Sequence, residues 1–175
     1  MRNVRPVSLA CKEIAMRALV LSLFLTALCL PGTALAAAKA NPNIKGWEKG
    51  GEYDRMFDPK EADSLKGRVL KIVDVTPIPG MAPGVALQIE DKKDKSVEIV
   101  HVGPKEFVDL GAIGLKEGDQ VKVAGAWVEF DGHDVLFAVK VKKGEDSELK
   151  VRRTRDGFPY WSMTPEERQR ETSGE

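Results

Sequence analysis

The sequence predicts an all-β domain with short helices, a small closed barrel flanked by a polar arm and an aromatic tail. Three observations carry that prediction. Apolar residues alternate with polar ones over short runs, as in Val85, Leu87 and Ile89, and again in Val135, Phe137, Val139 and Val141. Turn-forming pairs separate these runs, above all Gly118-Asp119 and Asp131-Gly132. The order of elements along the chain is strand, strand, strand, helix, strand, strand.

Taken from the N-terminus, residues 1–38 read as a signal peptide. Arg2, Arg5, Lys12 and Arg17 form a basic region, and Ala18 to Leu30 is an uncharged apolar run too short to cross a bilayer comfortably. Pro31-Gly32 breaks it, and cleavage is expected after Ala36 or Ala38, where small residues flank the bond. No twin-arginine pair precedes the run, so export is expected as an unfolded chain through a Sec-type route. The expected location is the periplasm or the medium. Both cysteines, Cys11 and Cys29, fall inside this leader. The rest of the chain therefore has no thiol for a disulfide, a metal or haem. The whole chain has 27 basic and 27 acidic residues; beyond residue 38 the balance is 23 to 26, a net charge of −3. That balance argues against general nucleic-acid binding, which needs a basic surface. No transmembrane segment is expected beyond the leader.

Residues 39–66 read as a flexible, Gly-rich arm whose large anchors are Trp47 and Tyr53. Asp58-Pro59 signals a helix start, with Asp as N-cap and Pro in the first turn, running to about Lys66. Residues 67–143 form the barrel. Arg68–Val75 is the first strand, and Thr76–Gly84, with three prolines and two glycines, is a loop. Val85–Glu90 and Val97–Val102 follow as strands around a charged turn. Pro104–Leu110 is expected to be a short helix. Gln120–Phe130 is a long strand whose apolar phase changes at Gly125, a position suited to a bulge or sharp bend. Asp131-Gly132 opens a hairpin into Val135–Val141. This order is the OB arrangement, a five-stranded barrel with the helix between the third and fourth strands. Residues 144–175 add an edge strand at Glu148–Arg152, the aromatic tail, and a terminal helix opening at Thr164-Pro165.

The runs VHVGPKEF, LKEGDQVKVAGAWVEFDGHDVLFAVKV and LKVRRTRDGFPYW resemble a family of small exported bacterial OB-fold proteins that includes the domain shared by the magnetosome proteins MamS and MamX. The resemblance spans Lys66 to Trp161. It rests on Gly103-Pro104, Gly118-Asp119 and the spaced Asp156-Gly157, Pro159 and Trp161. It implies the fold and the exported location, and it brings no catalytic residues. Relatives of the MamX group carry Cys-x-x-Cys-His haem-attachment motifs; this chain has none, so no haem role carries over. Members occur well beyond magnetosomes.

Several side chains are candidates for a site. His101 ends the third strand, where an imidazole could meet a ligand at the barrel mouth or hydrogen-bond to backbone inside it. Trp127 lies mid-strand, either as a stacking platform or as core. Met81 sits in the first hairpin loop, a position that often rims the ligand surface of OB folds. Phe158, Tyr160 and Trp161, with Arg152 and Arg155 just before them, either fold back over the barrel or dock a partner. Asp131, His133 and Asp134 share one tight turn and are not expected to converge on a cation. No phosphate loop, nucleophile elbow or metal-ligand set is present in the sequence, so no cofactor or metal is expected. The expected function is a non-enzymatic binding or assembly module for an unknown protein partner. The alternatives are a binder of a small ligand or oligomer (sugar, anion or nucleic-acid strand), or an accessory of an exported redox or metal system.

Overall fold

The computed structural model of the chain describes residues 43–173. The expected leader, with its alternative cleavage positions Ala36 and Ala38, lies outside the described residues. The described part is mostly β-sheet with a few short helices. Its strands are β1 (Ala62–Val75), β2 (Gly84–Asp91), β3 (Val97–Pro104), β4 (Gln120–Phe130), β5 (His133–Lys143) and β6 (Ser147–Lys150). They form one six-stranded sheet in the order β3-β2-β1-β4-β5-β6. All neighbours in that order are antiparallel. A parallel pairing of β3 with β5, from Ile99↔Val135 to His101↔Phe137, closes the hydrogen bonding into a ring and leaves β6 at an edge.

The alternating runs become strands because each places β-branched or aromatic side chains on a face that is covered. Val69, Leu87, Ile89, Val100, Val123, Leu136 and Val141 are all at 0 % exposure and belong to one apolar cluster. The β4–β5 hairpin turns on Asp131 and Gly132, both with positive φ (51° and 74°), between the paired Phe130 and His133. Two left-handed residues match the twist of the flanking strands, which is why Asp-Gly suits this turn.

Gly125 marks both a shift in the ladder and a change in which face of β4 is covered. The ladder shifts there, from Ala124↔Lys140 to Gly125↔Ala138, so that Val139 is the extra residue on β5. A Cβ on Gly125 would run into the Phe137 carbonyl. Beyond that point the other face of β4 is also covered: Tyr53 lies 6.3 Å from the Phe130 ring and stacks on Phe137 at 4.4 Å. Apolar residues follow the cover, so Ala126 and Val128 are buried on the face that Lys122 leaves exposed.

Three expectations are corrected. No α-helix joins β3 to β4: Pro104 is the last residue of β3, a turn follows, and a 3-10 helix covers only Leu110–Ile113. Gly111 and Gly114 disfavour anything longer, and Asp109 caps the short helix through Ala112 N–H at 3.1 Å. The helix begun at Asp58-Pro59 lasts one 3-10 turn, Pro59–Glu61, because Ala62 already pairs with Ala126 of β4. The arm before that turn, described from residue 43, is over residues 43–57 a packed strap and not a flexible segment: Trp47 is 0 % and Tyr53 2 % exposed. At the other end, α1 (Pro165–Ser173) opens with a reciprocal cap, Thr164 N–H to Glu167 Oε2 at 2.8 Å and Glu167 N–H to Thr164 Oγ1 at 3.2 Å.

Candidate functional site

The strap and the tail are stitched together over the sheet by two tryptophans. Trp47 Nε1–H donates to the Ala82 carbonyl at 2.8 Å, and Trp161 Nε1–H donates to the Trp47 carbonyl at 2.6 Å. Both indoles need room beside the strand backbone. Gly84 provides it for Trp47, and Gly103 provides it for Trp161, since a Cβ at either position would collide with the ring. The Gly103-Pro104 step is thus a seat for the tail.

Between strap and tail lies a buried polar pair of opposite charge. Arg152 is 2 % exposed, and its Nη1 donates to Asp54 Oδ1 at 2.7 Å and to the Gly157 carbonyl at 3.0 Å. Its guanidinium lies 5.0 Å from the ring centres of both Phe57 and Trp161. Gly50 N–H and Lys49 Nζ complete the surroundings of Asp54 at 2.8 and 3.1 Å. Arg152 is therefore not part of an exposed basic cluster. Nearby, Arg153 is held by Asp156 and Glu171, and Arg155, exposed, lies 3.4 Å from the same Glu171. Phe158 is half-buried between the Lys49 and Arg153 cations, at 5.8 and 5.2 Å. Tyr160 and Trp161 are buried at 7 % and 4 % exposure. The tail is a covering element.

His101 is buried beneath the strap. Its Nδ1 is hydrogen-bonded to the Tyr53 hydroxyl at 3.0 Å, and its ring stacks on Phe137 at 5.6 Å. Burial lowers its pKa from 6.5 to about 4, and burial likewise keeps the Tyr53 phenol protonated. The unfolded chain then binds more protons than the folded one between these two values. Stability from His101 is complete above pH 6.5 and is lost as pH falls towards 4, by an amount on the order of 3 kcal/mol. Urea unfolding at pH 7.5 and pH 4.5 measures it, and His101→Phe is expected to shrink the difference between the two pH values. An unchanged pH dependence in that variant would refute it.

Met81 is half-buried against Gly46 of the strap, next in the chain to Ala82, whose N–H donates to the Lys45 carbonyl at 2.8 Å. Trp127 is placed apart from the tail, at the start of β1. It is partly exposed, packs against the core, and donates from Nε1 to Asp63 Oδ2 at 3.3 Å. Ser64 N–H reaches the other oxygen of the same carboxylate at 2.6 Å, and these two bonds, the Ser64 one first, hold Asp63 below the usual carboxylate range. A groove of about 500 Å³ adjoins it, lined by Asp63, Ser64, Lys66, Lys92 and Lys93. Among the described residues no three His, Cys, Asp or Glu side chains gather as a metal site, and no helix is long and apolar enough to cross a membrane.

Sequence reasoning singled out His101, Trp127 and the tail but not their partners. Tyr53 and Trp47 were visible as the large anchors of a polar arm; Asp54 and the groove lysines carried no local signal.

These features define a class of small β-sheet domain, a ring of strands bound outside by a strap before it and a tail after it, whose buried charges satisfy one another. Residues 61–148, half of the chain, match the model of the MamS/MamX magnetosome protein family, and the chain belongs to that family. The strap and the Asp156–Trp161 tail lie outside the matched residues. No curated protein matches the chain.

Proposed function

We propose that the ring is an OB-type barrel and that the chain, exported with residues 1–38 as its signal peptide, serves in the periplasm as a non-enzymatic binding or assembly module. The ring order β1-β2-β3-β5-β4-β1, with β3 and β5 parallel, is that of OB folds and supports the first part. One observation carries the second. The side chains that could have formed an inner site are consumed in pairs, His101 with Tyr53 and Arg152 with Asp54, where the strap meets the sheet and the tail. What the domain offers outward is a sheet face and its edges, the surface through which a module meets a partner.

The test has two arms. Residues 1–38 fused to a reporter active only outside the cytoplasm should confer activity, and loss of the Ala18–Leu30 run should abolish it. The protein isolated gently from the cell envelope should run as a complex of defined stoichiometry with another protein. Recovery solely at its own monomer mass would overturn the module reading.

A further inference from the structure

Strand β1 is paired along its first half on one side only. Its ladder with β4 runs from Ala62↔Ala126 to Arg68↔Gln120, whereas its ladder with β2 begins at Gly67↔Asp91. Lys92 N–H donates to the Lys66 carbonyl at 2.9 Å, so the main chain of Lys66 faces away from β4. In an antiparallel strand the N–H and C=O of one residue point to the same side, and that side repeats every second residue. Ser64 therefore presents its main chain to the same open edge. The bond from its N–H to Asp63 Oδ1 is the sign of this: a side chain occupies the place of a strand.

The chemistry beside this edge is selective. The register sets Lys66 opposite Lys122, and Lys122 opposite Lys142. Like charges in directly opposed positions destabilise a sheet. Lys142 has Glu148 at 3.5 Å. Among the described residues Lys66, Lys92, Lys93 and Lys122 have no ion pair within 4.0 Å. Three of these cations, Lys66, Lys92 and Lys93, line the groove beside the open edge, and Lys122 stands across β1 on β4, in a chain whose residues beyond 38 are slightly acidic. Lysines on an open edge discourage indiscriminate pairing with apolar strands. They discriminate in favour of a strand that carries carboxylates.

We propose that the Ala62–Lys66 edge of β1 docks an extended, acidic segment of a protein partner, which adds as a strand and sets its carboxylates against Lys66, Lys92 and Lys93. This rests on the module reading and names its binding surface and the chemistry of its partner. The incoming main chain bonds to Ser64 and to the N–H of Lys66, whose carbonyl stays with the Lys92 N–H, and displaces Asp63 from the Ser64 N–H. Asp63 is also the acceptor for Trp127 Nε1–H, so docking reaches the partly exposed indole, while Trp47 and Trp161 stay buried.

The probe is a synthetic peptide of about ten residues alternating Glu and Val, titrated into the purified chain by fluorescence and calorimetry. Saturable binding with a change in tryptophan emission is expected. Trp127→Phe should lose the optical change and keep the heat. Lys66→Glu and Lys93→Glu should each weaken binding about tenfold or more, with urea midpoints close to wild type. N-methylation of one alternate set of peptide nitrogens should block binding while the other set is tolerated. Equal effects of the two sets, unchanged affinity in both lysine variants, or tighter binding of an oligothymidylate of similar length would each overturn the proposal. In cells, an envelope complex that survives both charge reversals would sink this surface and leave the module reading standing. Absence of any complex from wild type would sink the module reading itself.

Discussion

Replacing Arg152 with alanine is expected to lower the unfolding free energy by about 3–5 kcal/mol, the range for breaking a buried ion pair from one side. The cost arises less from the lost attraction than from what remains. Asp54 is 3 % exposed, and without the guanidinium it keeps only the Gly50 N–H and the half-exposed Lys49. The Gly157 carbonyl loses its donor as well, and the Phe57 and Trp161 rings lose the plate packed between them. Burial alone would raise the Asp54 pKa; the Gly50 N–H, Arg152 and Lys49 outweigh it and hold the carboxyl below its ordinary 3.8. A lowered carboxylate pKa contributes stability that is present above 3.8 and lost as pH falls through the folded value. In Arg152→Ala two of the lowering influences vanish, so acid destabilisation should begin at higher pH than in wild type. Replacing both partners, Arg152→Met with Asp54→Leu, should recover much of the loss, since neither charge is then stranded. Urea midpoints of the three variants at pH 7 and pH 4 are the measurement. A single-variant loss below about 1 kcal/mol, typical of a surface pair, would show that the pair is solvated.

The strands were legible because a strand declares itself locally. Val85, Leu87 and Ile89 have a period of two, and Asp131-Gly132 carries the φ signature of a tight hairpin in its own two residues. The segment after Pro104 misled because Phe107, Val108 and Leu110 have helical spacing. Phe107 is instead drawn toward the tail, where it meets Trp161 at 5.8 Å, Val108 lies beside Gly103, and Leu110 belongs to the 3-10 turn that follows. The arm misled for the opposite reason. Glycines at 46, 50 and 51 suggested freedom, yet Gly46 permits the close pass over Met81 that lets Trp47 sink into the core. Arg152 and Asp54 stand 98 positions apart, and no window of sequence joins them. The lysine row across β1, β4 and β5 exists only once register is known, because Lys66, Lys122 and Lys142 share no spacing along the chain. Local periodicity reveals elements; the pairing of charges and the closure of strap and tail over the sheet belong to topology.

Trp47→Ala is expected to cost about 3–5 kcal/mol, as large aromatic deletions from a core do. The indole is fully buried, touches Tyr53 edge-on at 4.7 Å and Trp161 at 6.1 Å, and fills the space that Gly84 leaves open. Alanine would also strand the Ala82 carbonyl, which accepts the Nε1–H bond. Trp161→Ala should cost a similar amount, for it is 4 % exposed and donates to the backbone of Trp47 across 114 positions. The two losses should not add. Once Trp47 is gone the strap no longer holds its carbonyl in place for Trp161, so the double variant should fall short of the sum by about 0.5–3 kcal/mol. A partner-docking peptide would behave differently: removing Trp161 would then leave the unfolding midpoint where it was and affect only binding. Urea unfolding of wild type, both singles and the double decides between the two roles. Full additivity would show that strap and tail hold the sheet independently, and a silent Trp161→Ala would return the tail to the surface.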